Sequence, residues 1–409
     1  MHISSLRLHH YRRFEDASFE FQPGVNVLYG ANGAGKTTVL ETAATLLSWY
    51  AARLKSPTAS GKFPDKKAVA NGSSSALVEL RVETKAGSVS SSLFKRKAGH
   101  EAAGKSEQRQ VSQWALPYRI NRSEGVPVDY PLFAFYGVKR VGIDIPQRIR
   151  NKHDFDALAG YDNAFEGGSE FRSFFDWFRQ HENLENEERL DDVSYRDASL
   201  QAVRAAWERM LPEFSNFRIR RKKGQALTAV KGGIELSMDQ LSDGERCFLA
   251  LVGDIARRLA LLQMSARNAG DILNGQGIVL IDELDLHLHP LWQRRAAREL
   301  PGVFPNLQFI ITTHSPQVLS EVRADRIIPL SRGAAAGVGY GFSSADILEL
   351  SMESDIWPEE IRASIRKVHA HLDKGNVQKA QAVLTKMRQS LPADSPILAS
   401  LQTEISLFG

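Results

Sequence analysis

Near the start of the chain, hydrophobic positions alternate with polar ones in short runs. Ile3-Ser-Ser-Leu-Arg-Leu8 and Ala17-Ser-Phe-Glu-Phe21 read as the arms of a hairpin, and Pro23-Gly24 turns the chain into Val25-Asn-Val-Leu-Tyr29, a buried strand. The period then changes, and Thr38-Val-Leu-Glu-Thr-Ala-Ala-Thr-Leu-Leu47 reads as a helix. Residues 56–75 have loop composition, after which Ala76–Thr84 and Val89–Lys95 alternate on either side of a turn, predicting a small antiparallel sheet. Pro131–Gly137, Gly277–Ile281 and Gln308–Thr313 are continuous apolar runs, the pattern of strands buried on both faces. Between Ser169 and Leu211 the spacing is helical. Phe171, Phe174, Phe175 and Phe178, widened by Trp177, make an apolar stripe, and Glu182, Glu185, Glu187 and Glu188 a polar face; a second helix runs from Ser199 to Leu211, before Pro212. The stripe is read as core packing.

Buried strands separated by helices predict an α/β fold: a mixed or parallel sheet with helices on both faces. The expected head spans 1–340, with an antiparallel β addition at about 76–130 and a helical insertion at about 150–215. Past the glycine-rich stretch 333–339, Ile361–Leu372, Val377–Ser390 and Ser395–Leu407 read as three helices of a separate C-terminal region, 341–409. Such helices suit either docking of a partner or capping of the core.

Composition narrows the setting. A length of 409 residues suggests two or three domains, and 43% hydrophobic with 24% charged residues is ordinary for a globular protein. No apolar run reaches membrane-spanning length, Met1-His-Ile-Ser-Ser5 lacks a signal-peptide core, and the single Cys247 excludes an internal disulfide or a cysteine zinc cluster. These features point to the cytoplasm. A formal charge of +4 permits nucleic-acid contact without requiring it. The basic residues Lys95, Arg96, Lys97, His100, Lys105 and Arg109 suit a phosphate backbone, but without interleaved aromatics they read more readily as a solvated loop.

The strand ending at Tyr29 runs into Gly30-Ala-Asn-Gly-Ala-Gly-Lys-Thr-Thr38, a full match to G-x-x-x-x-G-K-[ST]. Asn32, Gly33 and Gly35 let successive backbone N–H groups face phosphate oxygens, and the helix that follows offers its positive end to the same anion. Lys36 reaches the outer phosphates, Thr37 ligates Mg²⁺ and Thr38 lies beside the α-phosphate. The pattern predicts nucleoside-triphosphate binding. Arg12, in His10-Tyr-Arg-Arg-Phe14, suits either a phosphate or base contact or a solvated hairpin edge. Lys139 and Arg140 follow the strand ending at Tyr136, at the end where α/β sheets bind ligands.

Four further elements follow in order. Leu241-Ser-Asp-Gly-Glu-Arg246 opens a helix with Ser242 as N-cap and Glu245 as its capping-box partner. Gly277-Ile-Val-Leu-Ile-Asp-Glu283 ends a buried strand in two carboxylates: Asp282 suits Mg²⁺ and Glu283 suits polarising a water. Leu284-Asp-Leu-His-Leu-His-Pro290 turns into another helix. His287 and His289 lack the neighbouring ligands a metal site needs. Gln308–Thr313 delivers His314, able to donate to a γ-phosphate.

Taken together, these motifs resemble the AAA-family, ABC-type ATPases of the RecF/SMC-like branch. In that resemblance Gly30–Thr38 is the Walker A loop, Leu241–Glu245 the signature, Ile278–Glu283 Walker B, His287–His289 the D-loop and His314 the switch histidine; Arg12 matches a nucleotide-contacting arginine. The Q-loop glutamine has no clear counterpart, with 136–140 its nearest neighbourhood. Phe174-Phe-Asp-Trp-Phe-Arg179, Glu182–Glu188 and Thr312-Thr-His-Ser-Pro-Gln-Val-Leu-Ser320 further resemble ATPases of anti-phage operons, the Septu and retron-associated ATPases among them. The resemblance implies ATP and Mg²⁺ as cofactors, with ATP sandwiched between the Walker A of one copy and Ser242 and Gly244 of another. It implies a homo-oligomer, a dimer or a ring of dimers, governing a separate nuclease or toxin effector docked through the C-terminal helices. A RecF-like repair ATPase that grips DNA directly is the alternative; a transporter ATPase fits less well. Only 205 positions separate Lys36 from Leu241, and they lack sustained heptads, which excludes a long coiled-coil arm.

Overall fold

The computed structural model describes the chain apart from residues 102–103, 139–155, 169–170, 222–225, 331–338, 352–357, 393 and 409; the side chains of 66, 171–172, 349 and 351 also stand outside the description. Lys139 and Arg140, the last two residues of the Q-loop neighbourhood 136–140, therefore lie outside the described residues. The chain forms two compact units, Met1–Ile347 and Leu348–Gly409.

The first unit is organised on a five-stranded sheet. Its strands are β3 (Val25–Tyr29), β6 (Leu132–Tyr136), β10 (Gly277–Ile281), β11 (Leu307–Thr313) and β12 (Ile327–Pro329), in the order β12-β3-β11-β10-β6. Every pairing is parallel, with Ile281 opposite both Tyr136 and Ile311, and Thr313 opposite Tyr29. All residues of β6, β10 and β11 are buried, which explains why none of them alternates polar with apolar positions. Because the strands are parallel, Gly30, Gly137, Asp282 and His314 all leave the sheet at its carboxyl edge. Helix α1 (Lys36–Lys55) packs on β6, β10 and β11.

A four-stranded antiparallel sheet, in the order β2-β1-β4-β5, joins β1 (His2–Tyr11), β2 (Phe14–Glu20), β4 (Ser75–Thr84) and β5 (Gly87–Arg96). The N-terminal hairpin and the later one are thus halves of a single sheet, with Leu6, Leu8, Leu80 and Val82 turned inward. The β addition expected at about 76–130 ends at Arg96; beyond it come two short helices, α2 (Arg109–Trp114) and α3 (Leu116–Ser123).

The helical insertion consists of α4 (Phe171–Asp191) and α5 (Ala198–Met210). Phe174, Phe175, Trp177 and Phe178 are fully buried; Phe174 and Phe178 pack on Trp207 of α5. Trp207 donates its indole N–H to the Leu249 carbonyl at 2.8 Å, tying the insertion to α6 (Asp243–Leu262). A three-stranded antiparallel sheet, β7 (Phe214–Arg220), β8 (Ala226–Lys231) and β9 (Ile234–Ser237), lies between α5 and α6 and has no counterpart in the sequence reading. An irregularity between Ser215 and Arg218 breaks the alternation that would have disclosed β7. Two further helices, α7 (Ala269–Leu273) and α8 (Pro290–Val303), flank β10; α9 (Pro316–Leu319) follows β11, and α10 (Ser344–Ser351) crosses the boundary between the units.

The second unit contains α11 (Glu359–Leu372), α12 (Val377–Ser390) and α13 (Pro396–Leu407) around its own core of Val368, Leu372, Ala380, Leu384, Met387, Leu398, Leu401 and Ile405. Gly375, at φ 69°, lets α11 stop and the chain reverse. Among the described residues no helix is long and apolar enough to cross a membrane.

Candidate functional site

The phosphate loop owes its shape to three glycines with positive φ, Gly30 (150°), Gly33 (76°) and Gly35 (105°). At Gly35 a side chain is excluded twice over, since a Cβ would stand 2.5 Å from the Phe14 ring besides the backbone strain. Asn32 and Gly33 are exposed at the tip. Buried Lys36 donates from Nζ to the carbonyls of Gly30 (2.7 Å) and Ala31 (3.2 Å), so the loop is folded around its own ammonium. Desolvation lowers the Lys36 pKa, and the nearby Glu283, Asp282 and Asp285 oppose that shift.

Residues 245 positions apart meet where Thr37 Oγ1 donates to Asp282 Oδ2 at 2.8 Å. This hydroxyl–carboxylate pair of hard oxygen donors fits a Mg²⁺ ion. Thr312, at the end of β11, organises the carboxylates: its hydroxyl donates to Asp282 Oδ1 (2.6 Å) and accepts the Glu283 N–H (2.7 Å). Glu283 is half-buried and held at φ 50°, a left-handed conformation that non-glycine residues seldom adopt outside constrained sites. Asp285 accepts the Thr313 hydroxyl (2.5 Å) and the His314 N–H (3.3 Å), fixing the histidine's backbone. Burial lowers the His314 pKa, Lys36 lowers it further, and the acidic neighbours only partly restore it. Lys36, Thr37, Asp282, Glu283 and His314 therefore share one strand edge.

Arg12, at φ 50°, extends its guanidinium to Glu41 (2.6 Å) and Thr38 (3.4 Å) on the first turns of α1. Arg12 is exposed and ion-paired with Glu41 there.

Ser242 and Gly244 stand elsewhere. Ser242 caps α6, its hydroxyl accepting the Glu245 N–H at 3.3 Å while Glu245 accepts the Ser242 N–H at 2.9 Å. They line an open cleft with Glu213, Lys231, His287, His289 and Trp292, and no residue of 30–38 borders it. A Cβ on Gly244 would come within 2.3 Å of the His287 carbonyl oxygen, so the two turns are in backbone contact. His287 itself has φ 62°. Gln293 braces this turn, donating to the carbonyls of Leu288 (2.8 Å) and Asp285 (3.3 Å) and accepting the Ser315 hydroxyl (2.6 Å). Among the described residues no three His, Cys, Asp or Glu side chains form a metal cluster.

Thr312, Asp285 and Gln293 were missed by the motif reading. Two threonines ending an otherwise apolar buried strand are the one signal that would have singled out the first. Substituting Gly244→Ala is expected to leave ATP affinity unchanged and to lower hydrolysis on the order of 10²-fold, because the signature turn must shift by about 1 Å. Nucleotide titration alongside phosphate release measures both.

A five-stranded parallel sheet with helices, joined to an antiparallel sheet and a helical insertion, is the fold of an ABC-type ATPase head. The crystal structure of an SMC head bound to the C-winged helix domain of ScpA shares this fold, with a TM-score of 0.50 and 16% identity over 80% of this chain and 94% of that one. The chain belongs to the family described as "AAA domain, putative AbiEii toxin, Type IV TA system", whose model matches residues 25–320. It is 29% identical to the "Retron Vc95 probable ATPase" of Vibrio cholerae serotype O1 biovar El Tor, over 91% of this chain and 84% of the relative. It is 27% identical to the Septu protein PtuA of Bacillus thuringiensis, over 43% of this chain and 47% of that protein.

Proposed function

We propose that this chain is the ATP-driven switch of an anti-phage defence complex, in which two copies sandwich ATP and a separate effector nuclease or toxin docks on the C-terminal helices, residues 341–409. The observation that supports the sandwich most is the separation within one chain: Ser242 and Gly244 line a cleft that no phosphate-loop residue borders. A signature so placed meets a γ-phosphate only if a second copy brings one. Likeness to retron and Septu proteins supports the defence role.

In this reading the Lys36 ammonium exchanges its two loop carbonyls for β- and γ-phosphate oxygens. Thr37 and Asp282 hold Mg²⁺, which, when bound, neutralises charge developing on the phosphates. Glu283 accepts the proton of the attacking water. His314 donates from its ring to the γ-phosphate, and Ser242 with the Gly244 N–H closes the site from the partner copy. Hydrolysis removes the group that both copies grip, and the pair separates.

The test is capture of Glu283→Gln protein, expressed from its native operon in the presence of ATP, followed by intact-mass analysis. The expected complex contains paired copies of this chain and a stoichiometric second polypeptide. A complex of this chain with DNA alone would overturn the reading in favour of a RecF-like repair ATPase.

A further inference from the structure

One buried tyrosine touches both halves of the machinery. Tyr136 ends β6, and its carbonyl accepts the Asp282 N–H at 2.8 Å. Its hydroxyl donates to Asp254 Oδ2 at 2.9 Å. Asp254 lies on α6, the helix capped by Ser242, about 18 Å along its axis at 1.5 Å per residue.

Asp254 is itself pinned. Arg258 Nε reaches Oδ2 at 2.7 Å and Arg257 Nη2 reaches Oδ1 at 2.7 Å. Arg258 also donates to the carbonyls of Gly160 (2.7 Å) and Asp162 (3.0 Å), in the segment beside β6. Tyr136, Asp254, Arg257 and Arg258 are all at most 4% exposed. A buried ion cluster adds little net stability over apolar packing of equal volume, whereas it does fix geometry. Asp254, Arg257 and Arg258 belong to none of the sequence motifs, and Tyr136 opens the stretch 136–140 nearest to a Q-loop.

We infer that Tyr136 is a positioning residue, joining Asp282 to the signature helix so that nucleotide arrival at Thr37 and Asp282 sets the orientation of Ser242. A cation held by Thr37 and Asp282 would shift the Asp282 carboxylate, and that shift would reach Tyr136 through the backbone bond. The Tyr136–Asp254 bond then conveys it to α6, a rigid element. The inference rests on the ATP sandwich for its consequence but not for its detection.

The test compares Tyr136→Phe, which removes only the hydroxyl and leaves both arginine pairs intact, with its parent, both carrying Glu283→Gln. Three quantities are measured: affinity for a fluorescent ATP analogue, ATP-induced change in hydrogen exchange over residues 243–258, and ATP-dependent association by sedimentation. In Tyr136→Phe, nucleotide affinity should stay within about twofold of the parent. The exchange response of the signature helix should be lost, and association should weaken by roughly tenfold. An unchanged exchange response in Tyr136→Phe, or no response in the parent, overturns the inference. Equal loss of ATP affinity and association assigns the hydroxyl a merely structural role and overturns it too. If the parent shows the exchange response but stays monomeric with ATP, the sandwich fails while the role of Tyr136 is still decided by the exchange comparison.

Discussion

Replacing Glu283 by glutamine should cut ATP hydrolysis by roughly 10²–10⁴-fold, the range for a positioned general base. ATP binding should persist. Glutamine keeps the size of the side chain and the backbone bond to Thr312 (2.7 Å), and leaves Lys36, Thr37 and Asp282 untouched. What it loses is the ability to take a proton. Glutamine has the same shape and the same rotamers available at φ 50°, so it can occupy the same place without accepting a proton. ATP-bound protein should therefore accumulate as the associated form, seen as a doubled or larger mass by sedimentation with ATP. Phosphate release retained within about threefold of wild type would move the base elsewhere.

The second large effect concerns stability. Asp254→Ala should destabilise the first unit by about 3–5 kcal/mol, because it leaves Arg257 and Arg258 as buried cations with no carboxylate between them. Burial alone would raise the Asp254 pKa; Arg258 and Arg257 outweigh that and hold the carboxyl well below its usual range. A depressed folded-state pKa gives stability that is complete above the unfolded value of 3.8 and is lost only as the pH falls below it. The deficit should therefore be constant across neutral pH. Thermal melting should show a drop of roughly 4–7 °C in a unit of this size. A fall of only one or two degrees would mean that water or backbone carbonyls neutralise the arginines.

Sequence reading went furthest where side-chain period and chemistry agreed. The runs Val25–Tyr29, Gly277–Ile281 and Gln308–Thr313 have no polar alternation because both sheet faces are covered, and each ends in the residues proposed to handle phosphate. The Ser242–Glu245 capping box was legible because a cap is local, set by four consecutive residues. Residues 214–237 were not legible as a sheet, since the irregularity at Ser215–Arg218 breaks the two-residue period. Residues 97–130 misled for a different reason: short helices such as Arg109–Trp114 are set by packing on their neighbours more than by their own pattern. The links Tyr136–Asp254 and Thr37–Asp282 span 118 and 245 positions, and no local rule reaches so far.

A hydroxyl has one proton to give. Thr312 receives the Glu283 N–H, so its own proton goes to Asp282. The two carboxylate residues are thus wired in series through a single oxygen. Asp282, which with Thr37 would hold a cation, is thereby joined through Thr312 to the backbone that carries Glu283. In the proposed function the residue that would hold the ion and the residue that would act as base thus share one support, and a shift in either would be felt by the other.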